Sequence, residues 1–383
     1  MIVELRKAGF NNKGAELMLI AILERMRRQY PNAIFTTTAT EADGPKPFSK
    51  VVGCGMYPKF SHDLFGCEVG DWLRIVPKRY RERYGLCLDS EVDVVIDAAG
   101  YSYGDPFSPR RIMELADAAA RWKRKGKKII LMPQAFGPFS RKETREAMRR
   151  IVLHADLIMP REPKSAEYLF ELAGEAPNIR QFPDFTLLVE GRVPPEFEPT
   201  VHRVCLVPNA QMVAKTWGGE GDQYLFFMQR SLRHLVESGA HPFLLIHESA
   251  RDGELARRIA AEHSGVPILH VESAPAIKGV IGACHATIGS RYHGLVSALS
   301  QGVPSLATGW SHKYAELFSE YGCSENILDL DLNEAELKAR IDRLMDSEAH
   351  AAQRQKLLAE ASRVRERVEA MWQEIFHVID GTE

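Results

Sequence analysis

The stretch Ala286-Thr287-Ile288-Gly289-Ser290-Arg291-Tyr292-His293-Gly294 reads as a short apolar strand, a turn and the opening of a helix. A helix amino terminus offers unpaired N–H groups and a partial positive charge, so it favours anions. Arg291 adds a planar, permanently charged fork that matches carboxylate or phosphate. His293, two residues on, is of the residue type whose ordinary pKa lies near neutrality. An anion anchor beside a proton-transfer group, at one strand end, is a coherent catalytic pairing. The other reading of the same residues is a capped helix whose Arg and His make ordinary surface hydrogen bonds.

Outward from this stretch the pattern repeats. Short β-branched runs alternate with helix-length amphipathic segments, the signature of parallel sheet with crossover helices. Before it, strands are expected at Ile2–Leu5, Ile34–Thr38, Val92–Ala98, Lys128–Met132, Asp156–Met159 and Arg180–Phe182. An apolar helix is expected from about Ala15 to Arg28. Between Phe48 and Asp89 the periodicity fails, and a cationic run lies there: Arg74, Lys78, Arg79, Arg81 and Arg83. That run reads as a solvated helix face, or as a loop that meets an anion. Three prolines at Pro194, Pro195 and Pro199 mark a candidate linker over 191–199. After it come strands Arg203–Val207, Phe243–His247, Ile268–Val271, Ala286–Gly289 and Pro304–Ala307, with helices between them. A long charged amphipathic stretch, Glu348 to Val378, closes the chain and is placed to brace the first half.

The expected fold class is therefore α/β: two Rossmann-like domains facing across a cleft, with a long C-terminal helix. The expected divisions are 1–192, 200–346 and 347–383. Ligands of such sheets bind at strand carboxyl ends near a topological switch point. The informative residues should sit just after strands.

A chain of 383 residues is long enough for two such domains, and its 49 basic and 51 acidic residues leave a net charge of −2. That balance argues against a dedicated nucleic-acid binder, and no nucleic-acid partner is expected. Six cysteines show no Cys-x-x-Cys pair and no zinc spacing, so they read as buried hydrophobes in a reducing compartment. No metal site is expected. The amino terminus lacks the apolar run of a signal peptide, and no 18-residue apolar stretch is present to form a transmembrane segment. The expected location is the cytoplasm, with a peripheral position on the inner membrane face as the other option.

Further strand ends carry candidate groups. Thr308-Gly309-Trp310-Ser311-His312-Lys313 brings a second His and Lys to the same sheet, with Trp310 as a wall for a sugar. The alternative is a loop that buries Trp310 and exposes Lys313. The turn Asn11-Asn12-Lys13-Gly14 precedes a helix as an anion-cradling loop would, although Asn12 is also an ordinary helix cap. Gly100, after Val94–Ala98, and Gln134, after Ile129–Met132, mark places where backbone can approach a ligand. Arg161 follows the strand Leu157–Met159 with Ser165 four residues on, as a second anion anchor or as one half of an ion pair. Asp97 inside an apolar strand reads as a satisfied buried carboxylate. His62, His154, His202, His263 and His377 have no obvious partners in the pattern.

Taken in order, these motifs resemble the polysaccharide pyruvyl transferase family. The matches are Asn12-Lys13-Gly14, Pro133–Pro138 (Pro-Gln-x-x-Gly-Pro), Arg161–Ser165 (Arg-Glu-x-x-Ser), Arg291–His293 and His312-Lys313, spanning most of the chain. The resemblance implies a GT-B-type architecture. It implies transfer of the enolpyruvyl skeleton of phosphoenolpyruvate onto two hydroxyls of a saccharide acceptor, lipid-linked or free, with phosphate released. No cofactor is expected beyond phosphoenolpyruvate as co-substrate. On this reading the first domain takes the acceptor and the second the donor anion. Arg291 and Arg161 are donor anchors with Lys313 in reserve, and His293 and His312 serve as acid and base. Ser290, Asn12, Gly14, Gln134 and Gly100 are the remaining substrate-binding candidates. Two positions differ from the common family pattern: the acidic residue after Gly14 is displaced to Glu16, and Tyr292 stands where leucine is frequent. Two other readings of the same fold stand beside this one. A nucleotide-sugar glycosyltransferase would use a carboxylate such as Glu316 for the nucleoside, and a non-catalytic glycan- or anion-binding protein would need Arg291 but not His293.

Overall fold

The structure, a computed structural model, describes residues 1–10, 12–38, 47–60, 63–64, 67–68, 73–215, 221–248, 250–309 and 311–381. Asn11, His62 and Trp310, named above, lie outside them. The chain divides into two units. Unit 1 is Met1–Asn11, Met18–Phe185 and Arg367–Glu383, and unit 2 is Asn12–Leu17 and Thr186–Glu366. The division thus falls at Phe185/Thr186, ahead of the proline stretch. That stretch packs within unit 2, where the Arg192 N–H donates to the Pro275 carbonyl at 2.9 Å and Phe197 meets Phe243.

Unit 1 contains β1 (Ile2–Arg6), β2 (Ile34–Thr38), β3 (Tyr57–Phe60), the short antiparallel pair β4 (Asp63–Leu64) and β5 (Cys67–Glu68), β6 (Cys87–Leu88), β7 (Val94–Asp97), β8 (Tyr101–Tyr103), β9 (Lys128–Phe136) and β10 (Leu157–Pro160). Its helices are α1 (Lys13–Gln29, whose first turn groups with unit 2), α2 (Phe48–Gly53), α3 (Lys78–Arg83), α4 (Pro109–Arg124), α5 (Lys142–His154) and α6 (Pro163–Ala173). The main sheet runs β10-β9-β7-β1-β2-β3-β6 in parallel, with β8 added on β9. Helices fill the connections β1–β2, β2–β3, β3–β6, β8–β9 and β9–β10, because parallel neighbours must start at the same edge, while β6 leads to β7 through a single turn at 89–91. Helices α4 and α5 bury Ile112, Leu115, Trp122, Met148 and Ile151 against Ile129, Leu131 and Ile158.

Two sequence expectations change here. The poorly patterned segment after Phe48 supplies β3 and β6, two strands of the sheet. Its pattern is hidden because Lys59 on β3 points inward to a buried ionic network. Lys59 Nζ lies 2.8 Å from Glu4 Oε2 and 3.0 Å from Asp89 Oδ1, and Lys127 Nζ lies 3.0 Å from Asp89 Oδ2. Burial raises the Glu4 pKa, but Lys59 and Arg6 more than offset it, so Glu4 sits below its ordinary value. Of the cationic run, Lys78, Arg79 and Arg83 are exposed, while Arg81 is buried on Glu91 at 2.7 Å. Second, Arg180–Phe182 is not a strand. It follows β10 through one bridge at Ile179, with the Arg180 N–H donating to the Ile158 carbonyl and the Phe182 N–H to the Pro160 carbonyl, but Pro160 has no N–H to return the next bond of the ladder. Asp97 is buried, its Oδ2 accepting from the Tyr103 hydroxyl at 2.9 Å and lying 3.9 Å from Arg6 Nε.

Unit 2 holds β11 (Val204–Val207), β12 (Pro242–Ile246), β13 (Ile268–His270), β14 (Ala286–Gly289) and β15 (Ser305–Ala307), parallel in the order β13-β12-β11-β14-β15. Its helices are α7 (Ala210–Lys215), α8 (Gly221–Glu237), α9 (Ala250–Ile259), α10 (Ala274–Ala283), α11 (Tyr292–Leu299), α12 (His312–Glu320), α13 (Glu334–Met345) and α14 (Ser347–Asp380). The 34-residue α14 belongs to unit 2 through Glu366 and to unit 1 from Arg367. Leu357, Ala361, Val364, Val368, Met371, Trp372 and Ile375 form its buried stripe, at helical spacing. In unit 1, Trp372 meets Phe185 edge-on and Glu369 pairs with Arg25. No helix among the described residues is long and apolar enough to cross a membrane.

Removing one member of a buried ionic network strands its partner. Glu4→Ala is expected to destabilise unit 1 by about 3 kcal/mol, read as a lowered denaturant midpoint with an unchanged slope.

Candidate active site at the carboxyl edge of the second sheet

In unit 2 the strand order reverses between β11 and β14. The chain leaves these neighbours in opposite directions, which opens a crevice at their carboxyl ends. Asn209 follows β11 and Ser290-Arg291 follows β14. The Asn209 amide donates to the Ser290 carbonyl at 2.6 Å, and the Tyr314 hydroxyl donates to the same carbonyl at 3.0 Å. The Ser290 hydroxyl is 2.8 Å from that of Thr308. The carbonyl and hydroxyl of Ser290 thus both take part in holding the turn.

Arg291 caps α11 and is buried. Its Nη2 lies 2.5 and 2.6 Å from the two oxygens of Asp252, a fully buried carboxylate that also accepts from the Ala210 N–H at 2.9 Å. Its Nη1 meets Glu248. Burial pulls the Arg291 pKa down to about 10, which leaves it charged at neutral pH. His247, at the end of β12, is buried beside Arg291. Burial first, then the charges of Arg291, His293 and Lys13, hold its imidazole well below the ordinary 6.5, so it is neutral at pH 7.

His293 lies on the first turn of α11, half-buried, with its ring edge-on to Tyr292 at 5.4 Å. The first turn of α1 packs on it. A Cβ at position 14 would collide with His293 Nδ1, so only glycine leaves the imidazole its place. Asn12 is the helix cap: its Oδ1 accepts from the Ala15 N–H at 2.7 Å, which takes the oxygen an anion-cradling role does not need. Lys13 reaches Glu16 at 2.9 Å and the Glu272 carbonyl. His312 and Lys313 open α12 after β15. The Lys313 ammonium sits 5.3 Å from the ring centres of both Tyr292 and Tyr314, so the reserve anchor is held over two aromatic faces.

The structure thus brings Gly14, Ser290, Arg291, His293, His312 and Lys313 into unit 2. It places Gly100, Gln134 and Arg161 in unit 1. Arg161, expected as a second anchor, is buried in ion pairs, with Asp184 at 3.2 Å and Glu162 at 3.5 Å. A guanidinium removed from water requires such partners. Gly100 adopts φ 68° and its carbonyl accepts from Ala135 N, a turn role. Gln134 is different. It is fully buried, and neither its amide nitrogen nor its oxygen meets a partner among the described residues. Such a group costs about 1–3 kcal/mol until a ligand or water satisfies it. Among the described residues no group of three or more His, Cys, Asp or Glu could hold a metal ion.

His247, Glu248, Asn209 and Asp252 were not singled out from sequence. Asn209 and His247 carry the same signal as Arg291, a polar residue at a strand end. Asp252 carries none, because it lies inside α9.

The family model for polysaccharide pyruvyl transferases matches residues 12–312. A search of curated proteins finds no match. Solved structures share the fold. A putative UDP-N-acetylglucosamine 2-epimerase from Listeria monocytogenes aligns at TM-score 0.58 with 14% identity, covering 97% of this chain and 96% of its own. Anabaena HepE in complex with UDP and glucose aligns at 0.58 with 12% identity, covering 99% of each chain. The UDP-GlcNAc 2-epimerase from Neisseria meningitidis bound to UDP-GlcNAc aligns at 0.57 with 7% identity, over 97% and 100%. The fold is GT-B-type.

Gly14→Ala must push the His293 ring from its rotamer at about 0.5–1.5 kcal/mol. The expected result is a displaced His293 imidazole resonance in NMR with the rest of the spectrum retained. The second expectation concerns pH. The unfolded chain takes up a proton at His247 near 6.5, whereas the folded unit does not. Stability is therefore full above 6.5 and falls below it by up to about 1.4 kcal/mol per pH unit. Thermal unfolding across pH 5–8 should show this fall, and His247→Gln should flatten it.

Proposed function

Because the chain belongs to the polysaccharide pyruvyl transferase family, we propose that it transfers the pyruvyl unit of phosphoenolpyruvate to two hydroxyls of a glycan or glycan precursor. The observation that carries this reading is Arg291 and His293 at the switch point of unit 2, with the neutral His247 beside them. A charged, buried guanidinium suits the carboxylate or phosphate of the donor.

In the reaction a proton is added to the methylene carbon of phosphoenolpyruvate, which becomes a methyl group. Positive charge develops on the adjacent carbon, and the first acceptor hydroxyl attacks it. The carbon–oxygen bond to phosphate breaks, the second hydroxyl attacks, and a ketal results. Of the two hydroxyl protons, one balances the proton given to carbon and the other leaves with phosphate. We assign His293 to proton transfer at the donor and His312 to the partner role. The fixed charge of Arg291 stabilises departing phosphate.

The test is calorimetric titration with phosphoenolpyruvate and with UDP-glucose, followed by phosphate release with free and lipid-linked acceptors. Phosphoenolpyruvate should bind, and Arg291→Ala should abolish binding. His293→Ala should keep binding and lose about 10²–10⁴-fold in turnover. Binding of UDP-glucose instead moves the assignment to a glycosyltransferase, with Glu316 as the first nucleoside contact to replace.

A further inference from the structure

Arg291 is over-neutralised. One guanidinium faces two carboxylates, Asp252 and Glu248. The two differ in how they are held. Asp252 is fully buried and fixed from two sides, by Arg291 Nη2 and by the Ala210 N–H. Glu248 follows β12 in a bend, its side chain is 22% exposed, and among the described residues its ion-pair partner is Arg291 alone. Asp252 thus orients the fork, while Glu248 covers the nitrogen that an incoming anion needs. His247 is neutral, so it adds no cation to this balance. A carboxylate or phosphate approaching Arg291 would meet a net charge of −1 from these three ionised groups unless Glu248 leaves.

We propose that Glu248 is a displaceable counter-ion that holds the place of the substrate anion on Arg291 and sets which anions bind there. The side chain swings out through its exposed face when a ligand offers the fork more than Glu248 does. A single weakly held anion does not displace it. A ligand that carries a carboxylate and a phosphate ester on one carbon, and so offers the fork two anionic groups together, does. Glu248 is in this sense a specificity-determining residue. The inference rests on the reading of Arg291 as the donor anchor.

The experiment measures binding by calorimetry to the full-length protein and to Glu248→Gln, Glu248→Ala, Arg291→Ala and the Glu248→Gln/Arg291→Ala double variant. Inorganic phosphate is the probe that decides the inference. Both Glu248 variants should bind phosphate about tenfold tighter than the parent, and the gain should vanish with Arg291→Ala. Unchanged or weaker phosphate binding in the Glu248 variants overturns the proposal, as does a gain that survives without Arg291. Phosphoenolpyruvate is the second probe. If phosphate behaves as expected but phosphoenolpyruvate binds to none of these proteins, the counter-ion role stands and the pyruvyl transfer reading fails. If phosphoenolpyruvate binds the parent but phosphate affinity ignores Glu248, the reverse holds. Glu248→Ala guards against a new hydrogen bond from the glutamine amide: agreement of the two variants is required.

Discussion

A strand that pairs in parallel with its neighbour cannot return through a tight turn. The chain must cross the sheet, and every strand then begins at one edge and ends at the other. In unit 2 this constraint sends five carboxyl ends to a single edge. The residues just past those ends, Asn209, His247, Ser290, Arg291, Thr308 and His312, meet there although they are spread over a hundred positions of sequence. The reversal of order between β11 and β14 makes the gap, and the hydrogen bond from Asn209 to the Ser290 carbonyl closes its floor. The same rule in unit 1 delivers Gly100 and Arg161 to the ends of their strands, whereas Gln134, expected just past a strand ending at Met132, lies within β9, which runs on to Phe136.

Burial sets the chemistry at that edge. A guanidinium out of water must be compensated, and Asp252 supplies the fixed part of that compensation. Burial then separates the two acids: Asp252 is fully enclosed, and Glu248 is partly exposed. Burial, with the nearby positive charges, also holds His247 neutral. In unit 1 the same physics gives a different outcome. Arg161 is enclosed by Asp184 and Glu162, with Asp184 as buried as the arginine itself, so its charge is spent internally.

Much of this was legible. Periodicity located most of the strands, because an apolar run bounded by turns has few other readings. It failed at β3, where Lys59 is a charge turned inward, and at Arg180–Phe182, where Pro160 on the neighbouring strand has no N–H to return a ladder bond. Strand-end reasoning found Arg291, His293 and His312. It passed over Asn209 and His247, which needed only the same rule applied to β11 and β12. Asn12 and Lys313 carried real signals whose partners, the Ala15 N–H and the two tyrosine rings, decide their role.

Sequence by itself determined the class of fold and the family, because both rest on local patterns: the period of apolar residues, and short motifs in a given order. Tertiary structure alone decided which charges are available. Whether an arginine binds a ligand or a carboxylate of its own chain depends on what lies within a few ångströms of it. Asp252 stands 39 residues before Arg291, and Gly14 stands 279 before His293. Electrostatic and steric terms act through distance in space, and no local pattern in the chain records that distance.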